Sequence, residues 1–289
     1  MERNLWGTDT EKSFFIESLK HFATPQQLFY KLGNEFFAYI PNNVSSGNQT
    51  LQSRNTLIGK YTERWCKDLF ESIANDLNLY AINGVVCEEL SLTPRSSADM
   101  AFCTTDSIVQ KPENIKVLFE IKMSIVSNYL YDLNGNLNVV GDYKSHKGQP
   151  SLQRSDSMLK AIGKAINIRV SGSYGNRIPI IILGNSPITL SYSPKVDMLK
   201  ASGIIQGFWS LYPNPCGSSF IHETEGKGFR TIDNYSTLKS ISSELLNQDM
   251  IYFSSMLPKD RIGEIIKIAN RESTNEQKAD KFLQLIKGR

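Results

Sequence analysis

The sequence lacks the residue patterns that mark several functional classes. Its four cysteines, Cys66, Cys87, Cys103 and Cys216, are scattered, with no CxxC pair and no histidine at ligand spacing. That excludes a zinc-finger pattern and a disulfide framework, and leaves reduced, partly buried thiols. The three histidines, His21, His146 and His222, lie far apart, so a histidine-based mechanism has no visible support. No apolar run approaches the roughly 20 residues that span a bilayer. The opening MERNLWGTDTEK has no apolar core of a signal peptide, so the expectation is a cytoplasmic protein without a membrane partner. Also missing are a glycine-rich phosphate loop after a strand, a GxSxG elbow and an HExxH helix, and with them the usual marks of a small-molecule enzyme. The net charge is only +3, which neither demands nor excludes a polyanion. The placement of Lys and Arg decides that.

What is present is a globular composition. Of 289 residues, 40% are hydrophobic and 10% aromatic, enough to close a core in one large domain or two modest ones. Near the start, Thr24, Pro25 and Gln27 form a capping-box pattern before an apolar-periodic run, which predicts a helical N-terminal region over 1–55 ending in a polar loop at 41–55. The strongest helix is predicted at 57–77, where Leu57, Tyr61, Trp65, Leu69 and Ile73 recur every four residues. Projected at ~100° per residue, Glu63 falls beside Gly59 and Phe70 at the border of that apolar arc, where a carboxylate can point into a cleft. Short β-type runs follow: GVVCEELSL, ADMAFCT and IKVLFEIKMSIV. After a polar, basic loop at 142–154, a helix is expected through SDSMLKAIGKAINI, with Leu159, Ile162 and Ile166 inward and Lys160 and Lys164 outward. It leads into IPIIIL, an apolar run suited to a strand buried on both faces. Helix then buried strand indicates a crossover unit and a mixed α/β sheet. GIIQGFWSLY fits helix or strand. From about 233 to 289 the pattern is mostly helical, with Ser273 and Glu276 as a capping box for the last helix.

One constellation carries chemistry. In the third β-type run, Leu118, Glu120, Lys122 and Ser124 share one face, while Phe119, Ile121, Met123 and Ile125 make a purely apolar other face. Folding the chain back at 105–114 can place Asp99 across from or diagonal to Glu120. Two carboxylates so close repel unless one is protonated or a cation lies between them. Mg²⁺ takes oxygen ligands, usually one or two carboxylates with water and a substrate phosphate. Lys122 on the same face would stabilise an attacking water and the charge building on the phosphate. A plainer account stays open: an antiparallel hairpin with one wet face, where Glu120 and Lys122 merely solvate.

Asp99 followed by Glu120-Ile121-Lys122 resembles the motif of the PD-(D/E)xK nuclease superfamily. Ala98 stands where that family has proline. The resemblance covers about 57–183, with Glu63 matching the family's acidic residue on a preceding helix. Glu225-Gly226-Lys227 and Glu276-Gln277-Lys278 also spell ExK, but neither has an apolar acidic strand upstream.

The resemblance implies an α/β fold of the restriction-endonuclease-like kind, a mixed β-sheet flanked by helices, with helical N- and C-terminal additions. It implies a single endonuclease domain over 1–289 with its catalytic core at about 57–183. The implied activity is that of a type II restriction endonuclease: Mg²⁺-dependent double-strand cuts at a short DNA sequence by attack of a metal-activated water. Asp99, Glu120 and Glu63 are the implied metal ligands, and Lys122 completes the catalytic set. Double-stranded DNA is the implied partner and a homodimer the implied assembly. Lys144, His146, Lys147 and Arg154 are candidate phosphate contacts, Gln149, Gln153 and Arg154 candidate base contacts, and Lys160 is added from the following helix. A structure- or lesion-directed nuclease of repair, junction resolution or transposition, or a non-catalytic DNA-binding protein with the same fold, are the alternatives.

Overall fold

The computed structural model describes residues 3–45, 51–132, 134–172, 174–247 and 259–287. In chain order these form α1 (Thr8–His21), α2 (Pro25–Leu28), β1 (Tyr30–Leu32), β2 (Glu35–Phe37), α3 (Gln52–Asp76), β3 (Tyr80–Val85), β4 (Ala98–Cys103) and β5 (Ile115–Ile121). Then come β6 (Asn128–Tyr131), β7 (Leu137–Gly141), α4 (Ser155–Val170), β8 (Ile180–Gly184), α5 (Ser193–Ala201), β9 (Gly207–Ser210), β10 (Phe229–Thr231), α6 (Tyr235–Asn247), α7 (Lys259–Ala269) and α8 (Asn275–Lys287).

The main sheet has the order β10-β9-β8-β5-β4-β3. β3, β4 and β5 run antiparallel, and β8, β9 and β10 run parallel to β5. The sheet is therefore mixed, and α4 lies in the connection between the parallel neighbours β5 and β8, as expected of a crossover. β8 is buried throughout. Helices cover both faces. On one, Phe70 and Ile73 of α3, Phe14 and Phe15 of α1 and Leu238 of α6 pack with Phe102, Phe119 and Ile121. On the other, Met158, Ala161, Ala165 and Ile168 of α4 and Val196 of α5 pack with Leu118, Ile180 and Ile182. The first cluster joins residues from the N-terminal, central and C-terminal parts of the chain. No helix among the described residues is long and apolar enough to cross a membrane.

Several expectations are corrected. The N-terminal region is not wholly helical: the capping box of Thr24 and Gln27 starts a helix of four residues, and the chain then turns into the hairpin β1–β2. Gly33, at φ +62°, opens its two-residue loop, a conformation glycine adopts without strain. β2 pairs with β6, and β6 with β7, giving a second, antiparallel sheet. Within the expected loop at 41–55, residues 46–50 lie outside the described residues, and α3 starts at Gln52, ahead of the predicted 57. The first strand of the meander is Tyr80–Val85, upstream of most of GVVCEELSL. GIIQGFWSLY contributes a strand, β9. The cap of the last helix is Thr274 with Gln277, one residue beyond the expected pair.

The largest correction concerns α4. Leu159 and Ile166, expected inward, are 62% and 43% exposed, and the buried stripe is Met158, Ala161, Ala165 and Ile168. The two alanines let the helix approach the sheet closely, which bulky side chains at those positions would prevent. That rotation carries Lys164 from the solvent side toward the sheet.

Candidate active site

Alternation along β5 sends Phe119 and Ile121 into the α3 side of the core and Leu118 and Glu120 toward α4. Leu118 is 2% exposed and Glu120 8%, so this face is covered and the account of a solvated hairpin face fails. Asp99 projects from β4 beside it. Its Oδ2 accepts the main-chain N–H of Ile121 at 2.7 Å, which fixes the carboxylate against the end of β5.

Two ammonium groups bridge the two acids. Lys122 Nζ lies 2.6 Å from Glu120 Oε1 and 3.6 Å from Asp99 Oδ2. Lys164 Nζ lies 2.6 Å from Glu120 Oε2 and 3.6 Å from Asp99 Oδ1, and also donates to Ser97 O at 2.7 Å. Each carboxylate thus faces one lysine through each of its oxygens. Burial opposes the charge on Lys122, but Glu120 and Asp99 outweigh it and hold the lysine's pKa above its ordinary value. Glu63, on α3, is half-buried. Burial, then the Asp99 charge, raise its pKa above the usual carboxylate value.

Main-chain and polar side-chain bonds hold the segment after β5. Ser124 exchanges hydrogen bonds with Asn185, which follows β8: its N–H donates to Asn185 Oδ1 at 3.1 Å and its carbonyl accepts from Asn185 Nδ2 at 2.6 Å. Ser151, ahead of α4, donates its hydroxyl to Lys122 O at 2.5 Å and its N–H to Ser124 Oγ at 2.8 Å. The three segments that meet at the site are therefore tied to one another.

The acids and both lysines line a cleft of about 450 Å³, with the exposed Arg95 and Lys160 beside them. Four cationic side chains against two carboxylates leave this cleft net positive, as suits an anionic substrate.

Among the described residues, no three His, Cys, Asp or Glu side chains are grouped to hold a metal ion. Glu63 therefore does not join Asp99 and Glu120 as a ligand. It rides on α3, which covers the other face of the sheet from α4, and acts on the site through its charge. Oxygens converge on each ammonium: Asp99 Oδ2, Glu120 Oε1 and the main-chain carbonyl of Ile121 on Lys122 at 3.6, 2.6 and 3.3 Å, and Asp99 Oδ1, Glu120 Oε2 and the main-chain carbonyl of Ser97 on Lys164 at 3.6, 2.6 and 2.7 Å. Three hard oxygen donors around one cationic group fit Mg²⁺, which binds through one or two carboxylates and takes water or phosphate for the rest.

The candidate DNA contacts divide. Lys144, Lys147, Gln149, Arg154 and Lys160 are exposed and Gln153 half-buried. Lys147 donates to Val44 O, Lys144 to Ser218 and Ser219, and Arg154 pairs with Asp156 at 3.0 Å. Lys147, Gln149 and Arg154 line a second cleft of about 490 Å³ that includes Ser124, two residues beyond Lys122. His146 is corrected. It is 5% exposed, stacked on Tyr39 at 4.0 Å, with Nε2 3.0 Å from Val126 O. Burial lowers its pKa, so the ring is neutral and anchors the loop from inside.

Lys164, Ser151 and Asn185 were missed in the sequence. The signal for Lys164 was the pair of small residues Ala161 and Ala165, which mark the close-packed side of α4. For Ser151 and Asn185, hydrogen-bonding to a distant turn leaves no local trace. Compared with models of protein families, with curated proteins and with solved structures, the chain matches none, so the functional reading rests on the geometry of Asp99, Glu120, Lys122 and Lys164.

Proposed function

We propose that this protein is a Mg²⁺-dependent endonuclease of the restriction-endonuclease-like kind, making double-strand cuts at a short DNA sequence as a homodimer. The observation that carries the reading is the convergence of Asp99 and Glu120 from adjacent antiparallel strands with Lys122 in a net positive cleft. Buried carboxylates placed side by side are costly unless a cation balances them, and a binding surface for phosphate has no need of them.

Asp99, Glu120 and the Ser97 carbonyl, the oxygens that face Lys164, would hold the cation. It would supply Lewis acidity toward a phosphate oxygen and a more acidic water. Lys122 donates to the attacking water and to the charge that develops on phosphorus-bound oxygen, which a fixed ammonium in a partly dry site stabilises far better than bulk solvent does. Glu63, on α3, acts on this site through its charge. The water oxygen bonds to phosphorus as the bond to the 3′ oxygen breaks and that oxygen takes up a proton, leaving a 5′-phosphate and a 3′-hydroxyl. Lys147, Gln149 and Arg154 in the neighbouring cleft contact the duplex beyond the cut. Two copies related by a two-fold axis would present two such sites to the two strands of a palindrome.

The test is digestion of long mixed-sequence DNA with Mg²⁺, beside Glu120→Ala, Lys122→Ala and an EDTA control. Discrete fragments from the unaltered protein, absent with either variant and with EDTA, are expected. Intact DNA under every condition, with the protein folded, refutes the reading. Nicking confined to junctions or lesions would move the protein to the structure-directed nucleases.

A further inference from the structure

We propose that Lys164 occupies the cation's place in the resting site, competes with the incoming divalent ion for Glu120 and Asp99, and on release turns to the substrate phosphate. This rests on the reading of Asp99 and Glu120 as cation ligands.

The geometry is a closed ring of charges. Lys122 engages Glu120 Oε1 and Asp99 Oδ2, while Lys164 engages Glu120 Oε2 and Asp99 Oδ1. All four carboxylate oxygens face an ammonium, so a divalent ion cannot gain either acid through two oxygens without displacing a lysine. The two lysines differ in how they are held. Lys122 follows directly on β5, its N–H bonded to Leu183 O at 2.7 Å and its carbonyl to Ser151, and its ammonium also lies 3.3 Å from Ile121 O. Lys164 reaches in from α4 on a four-carbon stem, donates to Ser97 O at 2.7 Å and lines the open cleft beside Lys160 and Asn167. The two side chains are almost equally exposed, at 18% and 19%, so what sets Lys164 apart is that its stem can turn along α4 into that cleft, whereas the backbone of Lys122 is tied to the strand end.

An ammonium stripped of two carboxylates in a half-dry cleft needs another anion. A phosphate entering the cleft supplies it. Binding of the divalent ion and of a phosphate are then linked: each releases the site for the other, and by reciprocity each tightens the other to the same degree. Lys164 thereby balances the charge of the two acids together with Lys122 and makes cation capture weak until substrate arrives.

The experiment is a titration with Mn²⁺ alone, followed by electron paramagnetic resonance of the free ion, on the unaltered protein and on Lys164→Met, Lys164→Gln, Lys164→Arg and Glu120→Gln, with no nucleic acid present. Thermal melts establish that each variant is folded. Removing a competing ammonium is expected to tighten Mn²⁺ binding by about tenfold or more in Lys164→Met and Lys164→Gln, the equivalent of about 1.4 kcal/mol. Lys164→Arg stays as weak as the parent, and Glu120→Gln loses binding. A lysine that merely supported the fold would loosen the site when removed. Unchanged or weaker binding in folded Lys164→Met and Lys164→Gln, with the parent binding Mn²⁺ through Glu120, overturns the inference and leaves the nuclease reading standing. Absence of binding in the parent and in every folded variant overturns both.

Discussion

The carboxylate of Asp99 accepts the main-chain N–H of Ile121 at 2.7 Å, just past the last regular pair of the β4–β5 ladder, Met100 with Phe119. A side chain there does what a strand carbonyl does elsewhere, and the same carboxylate faces the two lysines. Asp99→Asn keeps an acceptor for Ile121 while removing the charge, whereas Asp99→Ala removes both. Both substitutions should abolish Mg²⁺-dependent cleavage. The alanine variant should be less stable than the asparagine one by about 1–2 kcal/mol in urea unfolding, the cost of an orphaned buried donor. Equal stabilities would show that the bond to Ile121 contributes nothing.

Glu11 makes the fold itself sensitive to pH. This wholly buried carboxyl accepts hydrogen bonds from Trp6 Nε1, Val126 N, Ser127 N and Tyr129 Oη, yet burial outweighs them and raises its pKa to about 7. Between the ordinary value of 4.5 and about 7 the folded protein holds a proton that the unfolded chain has lost. Its contribution to stability is therefore full below about 4.5, declines as pH rises across that window by a total of about 3 kcal/mol, and is flat above it. Unfolding free energies measured from pH 5 to pH 8 should carry this slope in the parent and not in Glu11→Gln. Parallel pH profiles for the two proteins would contradict it.

Arg169 is a structural cation held by main-chain carbonyls and an amide oxygen. Buried at the end of α4, it donates to the carbonyls of Gly175, Ile178 and Ile204 and to Gln206 Oε1, and burial lowers its pKa to about 10. A lysine cannot reach this spread of acceptors, because it has one donor atom where the guanidinium has a planar fork. Arg169→Lys should cost about 3 kcal/mol or more of stability. Mn²⁺ affinity at a temperature where the variant is folded should not change. A thermal melt within a degree or two of the parent's would show that the fork is dispensable.

The basic loop contains two kinds of residue that binding assays should separate. Lys147→Ala and Arg154→Ala should each weaken DNA binding at every sequence and reduce the slope of log affinity against log salt by about 1. His146→Ala should leave that slope intact and lower the melting temperature, because the ring stacked on Tyr39 is part of the interior. A change of slope in His146→Ala would return that residue to the DNA surface.

The acids of the site were legible because a strand has a period of two. Once Phe119 and Ile121 are taken as core, Glu120 must face the other way, and one reversal at 105–114 brings Asp99 to it. Lys164 was not legible by the same means. Its position depends on which face of α4 meets the sheet, and counting apolar bulk selected Leu159 and Ile166, which are exposed, over Ala161 and Ala165, which are buried. Closeness of approach decides such contacts, and size of side chain works against it. The mixed sheet and its parallel neighbours β5 and β8 were readable from one helix followed by one apolar run. β1 and β2 were not, since the segment after Thr24 has a helical period and a good cap. Pairing of Phe36 with Tyr131 overrides that local preference, and no local pattern contains a partner about ninety-five residues away.

That distant pairing has a consequence for how the chain is made. Phe37 meets Leu130 across the second sheet, so β2 leaves the ribosome long before its neighbour exists. At about 5–20 residues per second, the wait is about 5–20 s. During it the aromatic side chains Phe29, Phe36 and Phe37 have no sheet to enter. The N-terminal hairpin thus waits for its sheet although it is among the first parts to be synthesised, and a nascent chain halted before residue 128 would expose it.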